Sequence, residues 1–349
     1  MPSSSVRRAW AAPRCGVARP VLVTSVLVKS VLALPVLARA ALAICAAAWP
    51  MAAHAQTDAK GFAVERLYQS APGSGFLAMD DLRLHGGLGG ALSLTVGYAH
   101  APLQVDAGGP APLAVVRHQT FANIAAAVTW DRFRLHMTFA SPLYVAGESG
   151  ARGAFQFTAP KANVEQNPDT VSDVTAGLDA RLLGEWDGPF RLGAGAQLIL
   201  PSGDRADYGS DGTYRAMGRL LVAGDVGRIS YAGHLGAHLR PLDDAGVPGS
   251  PRGSELLFGI AAVTAVPVGP HALLVGPELY GASAFRALLG SETTALEGLL
   301  SARLDGPRKN GSQVRLKLGV GGGIHPRFGA PEWRVVCGIE IVGQTGDWR

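Results

Sequence analysis

Between Thr120 and Leu143 the large apolar residues fall on alternate positions. Ile124, Ala126, Val128 and Trp130 alternate with Asn123, Ala125, Ala127 and Thr129. After Asp131-Arg132 the phase flips: Phe133, Leu135, Met137 and Phe139 now alternate with Arg134, His136, Thr138 and Ala140. A period of two sends successive side chains to opposite faces of a strand, so this stretch predicts two amphipathic strands and a tight turn.

The pattern recurs along the chain. Leu88 to Tyr98, Val174 to Leu182, Phe190 to Leu200, Tyr214 to Val222 and Tyr231 to Leu239 repeat it. Leu256 to Ala262, Leu273 to Leu279, Leu296 to Leu304, Val314 to Val320 and Trp333 to Ile341 complete about 12 strands. Their connections alternate in length. Asp131-Arg132, "GEWDGP" from Gly184, "GDVG" from Gly224, "VGP" from Val268 and "DGPRKNGS" from Asp305 are short. The stretches between them, such as Ser141 to Val171 and Pro241 to Gly253, are long. That alternation predicts an all-β fold, an antiparallel up-and-down transmembrane β-barrel with short periplasmic turns and long extracellular loops.

Charge supports that facing. By count, about ten Arg or Lys and six Asp or Glu fall on the non-apolar strand faces, too many for a soluble core. Arg134, Arg191, Arg215, Arg219, His234, His238, Arg240, Arg315 and Lys317 are the expected lumen-lining residues and the candidate solute path. The mildly basic lumen is expected to prefer anions weakly if it is open. Asp179, Glu255 and Glu297 are the carboxylates that could instead cross and plug it. Leu135, Met137, Leu192, Leu220, Leu235 and Leu316 are expected against lipid, and arginine is expected to be tolerated far better at Gly193 than at Leu192. Tyr98, Trp130, Phe133, Phe190, Tyr214, Tyr231 and Trp333 near strand ends fit interfacial girdles.

The amino terminus changes the meaning of the net charge. Residues 1–55 carry six basic residues and no acidic ones, and end in Ala53-His54-Ala55 after an Ala-rich apolar stretch. This reads as a cleaved signal peptide. Without it the formal +4 of the 349-residue chain becomes −2, from 25 basic against 27 acidic residues, and a nucleic-acid partner is excluded. Cys337 alone remains of three cysteines, so no internal disulfide is expected. The expected division is signal peptide 1–55, amino-terminal periplasmic segment 56–85, barrel 86–342 and short tail 343–349, in a bacterial outer membrane. Lipid, lipopolysaccharide and the barrel-assembly machinery are the expected partners.

Phe190 to Asp244 ("FRLGAGAQLILPSGD…"), "GSELLFGIAA" from Gly253, "MDDLRLHGGLGGALSLTVGYA" from Met79 and "FGAPEWRVVCGIEI" from Phe328 carry a family resemblance. Together they resemble the amino-terminal barrel of large OmpA-like outer-membrane proteins. The resemblance implies a barrel scaffold and names no substrate. Relatives continue into calcium-binding repeats and a peptidoglycan-binding domain, whereas this chain stops at Trp348-Arg349, so peptidoglycan binding is not carried over.

No cofactor or metal is expected. His234 and His238 lie about 13 Å apart on a strand, too far to share an ion. Asp204, Asp207 and Asp211 lack the spacing of an EF-hand and read as a solvated loop. The glycines around Gly319 to Gly323 lack the strand-to-helix setting of a phosphate-binding loop. Ser230 near His234 and His238, or Ser301 near Glu297, would be the nucleophiles of a membrane hydrolase, a remote alternative. The principal expectation is a non-enzymatic pore or transporter for small solutes. The alternative is a closed structural barrel that displays its loops.

Overall fold

The computed structural model describes residues 56–106, 111–244, 246–325 and 329–345. The expected signal peptide and residues 346–349 of the expected tail lie outside the described residues. In chain order the strands are β1 (Thr57–Ala59), β2 (Leu88–Val105), β3 (Leu113–Trp130), β4 (Phe133–Ala146), β5 (Gly150–Arg152) and β6 (Phe155–Phe157). Then come β7 (Val174–Leu183), β8 (Arg191–Leu200), β9 (Arg215–Val226), β10 (Ile229–Leu239) and β11 (Glu255–Val268). The last are β12 (His271–Ala284), β13 (Thr294–Asp305), β14 (Ser312–His325) and β15 (Trp333–Thr345). β2–β4 and β7–β15 form a closed barrel of twelve antiparallel strands, sealed where β15 pairs with β2. Closure leaves no strand edge unpaired, the condition a sheet must meet to cross a bilayer.

The alternation sets the facing as expected. Leu135, Leu220 and Leu235 point outward and are more than half exposed, whereas Arg134 and Arg191 on the opposite face are buried. Arginine on that apolar exterior would have to sit in hydrocarbon. Trp130 and Phe133 stack at 6.4 Å beside the Asp131-Arg132 turn, and Tyr98 packs on Trp333 at 4.9 Å at the opposite end. The turn admits Asp131 at a φ of 50°, which suits a two-residue hairpin connection. The "GDVG" and "VGP" turns are tighter than expected, because pairing continues through Val226 and Val268 and leaves only Gly227-Arg228 and Gly269-Pro270 outside the ladder.

At the loop end the strands run beyond the alternating stretches. Leu113 to Val116 are all buried, since both faces are covered there. Their cover is a small cap that includes Val105, Val145, Phe157 and Tyr208. A three-stranded sheet, β1-β6-β5, lies at the same end, with β1 parallel to β6.

The placement of β1 overturns one expectation. Residues 56–85 do not form a separate periplasmic segment. From β1 at the loop end the chain enters the barrel and runs to the turn end, where β2 begins. Along this route Arg66 meets Glu255 at the start of β11, Ala78 meets Glu278 midway along β12, and Leu84 meets Arg181 near the end of β7. Partway down, the chain reverses at Ala71–Ser74, where Ser74 N–H donates to the Ala71 carbonyl and Ser70 N–H to that of Leu77. The physical reason is apolar burial: Phe62, Val64, Leu67, Phe76, Met79, Leu82 and Leu84 are each at most 4% exposed. Each such side chain contributes roughly 1.5–3 kcal/mol when removed from water. A free periplasmic segment would leave all of them wet.

Candidate functional site

The expected lumen-lining residues are brought together, but around the amino-terminal segment (hereafter the plug) and not around open water. Arg134 on β4 lies 2.6 Å from Asp80 of the plug and 2.7 Å from Asp179 on β7. Arg219 on β9 lies 3.1 Å from Asp80. Two guanidiniums and two carboxylates therefore close into one buried group, which makes the burial of four charges bearable. Arg191 donates to the Asp81 carbonyl at 2.9 Å and pairs with Asp225 at 2.7 Å. Arg315 donates to the Gly73 carbonyl, and Lys317 to that of Ser74 at 2.9 Å. Glu340 stands 3.6 Å from Arg315 and 3.5 Å from Lys317, and accepts the Gly73 N–H.

Nearer the loop end, Arg240 pairs with Asp211 at 2.5 Å and Glu255 at 3.1 Å, and donates to the Ala63 carbonyl. His238 meets Glu255 at 3.1 Å and the Tyr68 hydroxyl at 3.4 Å. Arg215 is held by Asp173 at 2.7 Å. His234 packs with Met79 over the bare backbone of Gly259, where a Cβ would stand 2.3 Å from the Met79 methyl. Glu297 pairs with Arg334 at 2.7 Å, and Glu65 of the plug takes the same guanidinium at 2.8 Å. Asp179 and Glu255 meet their basic partners from adjacent or nearby strands and Glu297 meets Arg334, so it is the plug, and not these carboxylates crossing the lumen, that fills the barrel.

The sequence reading missed the plug's own polar groups. Glu65, Asp80 and Asp81 carry the reciprocal charges, and the only available signal was acidic residues in a stretch without strand period. It also misplaced Asp211. The loop around it is not simply solvated: Tyr208, Ser210 and Asp211 are buried. Asp211 accepts the Ala63 N–H at 2.9 Å and so fastens the plug to the loop-end cap. Burial opposes the Asp211 carboxylate, but Arg240, Arg215 and the Ala63 N–H outweigh it and hold its pKa at about 2. A carboxylate depressed in the folded state stabilises fully above its unfolded value of about 4 and loses that contribution as pH falls towards the folded value. Acidification from about pH 4 to about pH 2 should therefore loosen the cap by about 2 kcal/mol. Limited proteolysis at Tyr208 across that range checks this, and Asp211→Asn should reduce the pH dependence, the remainder belonging to Glu255 and Asp80.

The expectation for Gly193 also changes. A Cβ there would stand 2.5 Å from the Ala180 carbonyl and 2.8 Å from the Leu82 side chain, so the lumen has no room. Gly193→Arg should displace Leu82 and weaken plug docking. Protease sensitivity of the plug in that variant, compared with the unaltered chain, checks it.

The candidate nucleophiles Ser230 and Ser301 each donate to another group, Ser230 to Asp225 at 2.5 Å and Ser301 to the Gly276 carbonyl at 3.2 Å, and neither is oriented by a histidine. Among the described residues no three His, Cys, Asp or Glu side chains gather as a metal site. The space left in the lumen is small: a cavity of about 240 Å³ at the turn end, beside Arg83, Arg134 and Arg315, and one of about 130 Å³ nearer the loop end.

No family model matches the chain, and no curated protein does. Among solved structures it is similar to an outer membrane channel from Pseudomonas putida F1, with 13% identity over 75% of this chain and 96% of that one, at a TM-score of 0.46. It is similar to the NanC porin, with 9% identity over 73% of this chain and 100% of that one, at 0.44. An anion-selective porin from Comamonas acidovorans gives 10% identity, 74% and 98% coverage, and 0.31. At these values the likeness carries no argument about function.

Proposed function

We propose that the protein is a bacterial outer-membrane pore for small solutes whose resting state is closed by its own amino-terminal segment. One observation carries this: Arg134, Arg191, Arg219, Arg240, Arg315, Lys317 and Arg334 of the inner wall each make a contact with the plug. With the plug removed, Arg134 and Arg219 would share Asp179 alone, Arg334 would lose Glu65, and Arg315 and Lys317 would lose backbone acceptors. An opened lumen lined this way favours anions. The apolar exterior suits lipid and lipopolysaccharide, and the barrel-assembly machinery would insert the chain.

Planar-bilayer recording tests the reading. The chain from Gln56 onward should give a flat trace, and the same chain lacking residues 56–85 should conduct with a weak anion preference. Equal, non-zero conductance of the two would overturn the closed resting state, and a clear cation preference would overturn the charge argument. A second reading, a structural barrel without transport, is favoured by the apolar seal of Phe76, Leu77 and Met79 against Ala261, Val263 and Leu299. Silence of a folded deletion variant would select it.

A further inference from the structure

At the turn end, the cavity of about 240 Å³ is walled by four arginines from separate places in the chain. Arg83 comes from the plug, Arg134 from β4, Arg315 from β14, and Arg308 from the turn between β13 and β14. Among the described residues no carboxylate lines this cavity. The groups around it take up only part of each fork. Arg83 gives Nη2 to Asp225 at 2.5 Å, and Arg134 gives Nε to Asp179 and Nη2 to Asp179 and Asp80. Arg315 gives Nε to Gln313 and Nη1 to the Gly73 carbonyl, with Asp305 and Glu340 each 3.6 Å off. Arg83 Nη1, Arg134 Nη1 and Arg315 Nη2 are thus left without an acceptor among the described residues.

His85 lines the same cavity, its ring 4.2 Å from that of Trp186. Burial and the neighbouring Arg308 push its pKa down to about 4, with Arg83 and Arg315 adding to them against Asp81. The imidazole is neutral at pH 7, and any cation entering would meet the same positive surroundings.

We propose that this cavity is a binding site for a small phosphate monoester, reached from solution at the turn end. A phosphoryl group brings roughly two negative charges near pH 7 and several acceptor oxygens, and needs no donor of its own. Guanidiniums take such oxygens in pairs of parallel bonds. Forks that approach from the plug and from three separate parts of the wall suit a tetrahedral group better than a planar carboxylate. Leu84 and the Trp186 ring offer apolar surface to the rest of a small ester. The closed barrel wall separates the cavity from lipid, so the ligand is a solute and not a membrane headgroup.

The site has two owners. Gly73, Arg83 and His85 belong to the plug, whereas Arg134, Arg308 and Arg315 belong to the barrel. A phosphoryl group bridging Arg83 to Arg308 and Arg315 therefore ties the plug to the wall, and a ligand that binds only the docked form stabilises it by mass action. The proposal needs a docked plug but not its release, and so goes beyond the gated-pore reading.

Isothermal titration calorimetry of the folded chain from Gln56 onward in detergent, with glycerol 3-phosphate as probe, tests it. Glycerol 3-phosphate should bind at one site per chain, glycerate several-fold more weakly, and glycerol not at all. Arg308→Gln lies in an exposed turn outside the barrel ladder and should weaken binding about tenfold, the usual loss of one charged hydrogen bond. Arg83→Gln should do the same, while Arg117→Gln removes an equal charge at the loop end and should leave the affinity unchanged. Saturating glycerol 3-phosphate should also slow protease cleavage of residues 60–85 several-fold. A flat titration overturns the site, as does binding that ignores Arg308→Gln and Arg83→Gln or that Arg117→Gln weakens equally. Glycerate binding as tightly as glycerol 3-phosphate overturns the choice of a phosphoryl group. Binding that leaves cleavage of the plug unchanged overturns the bridge. A flat titration beside plug-gated conductance fails the site alone, and conduction by the full chain with the expected titration fails the closed resting state alone.

Discussion

Replacing Asp80 with alanine is expected to destabilise the folded protein by about 3–5 kcal/mol, the usual cost of removing one partner from a buried ion group. Asp80 is fully buried, lies 2.6 Å from Arg134 and 3.1 Å from Arg219, and accepts the Ala71 N–H at 3.1 Å. Its loss leaves two guanidiniums facing Asp179, with His136 already 3.5 Å from the same carboxylate. Nothing else in the group can take up the excess positive charge. The effect should appear first as release of the plug, because Asp80 belongs to the plug and the other three charged side chains to the wall. Urea unfolding followed by protease sensitivity of residues 60–85 measures it. A midpoint unchanged from that of the unaltered chain would show that the charge group does not hold the plug.

The second large effect belongs to the exterior. Leu220→Arg places a guanidinium midway along β9 on the membrane face, where Leu220 is 60% exposed. The expected cost is about 2–4 kcal/mol for insertion and folding in lipid. Refolding into bilayers over a urea series gives the number. Equal stability of Leu220→Arg and the unaltered chain would mean that this face does not meet hydrocarbon, and the membrane reading would fall with it.

The barrel was legible because a strand with lipid on one side and polar groups on the other must alternate, and nothing interrupts Leu88 to Tyr98 or Phe133 to Phe139. The loop-end cap was not legible, for the same reason in reverse. Leu113 to Val116 are covered on both faces, so their apolar run carries no period and merges with a loop. The plug hides more completely. It is irregular, turns at Pro72-Gly73, and takes its partners from far along the chain, such as Glu278 for Leu77 and Arg334 for Glu65. The sequence therefore showed a basic inner wall and left open what neutralises it. The candidate residues were placed on the inner face, but several of their partners, Asp80 and the Gly73 and Ser74 carbonyls among them, came from a stretch assigned to the periplasm.

Because the segment before β2 passes through a ring closed by β2 and β15, the order of assembly is constrained. Were the ring to seal first, the chain upstream of β2 would have to be fed through a lumen about the width of its own side chains, with Phe62, Phe76 and Met79 leading or trailing. Sealing last avoids this: the strands curl around a segment already seated on Arg134, Arg219 and Glu278, and the β2–β15 ladder closes over it. In that order the plug acts as a mandrel on which the sheet is rolled. A chain lacking it should then close more slowly, whatever it gains in conductance once closed.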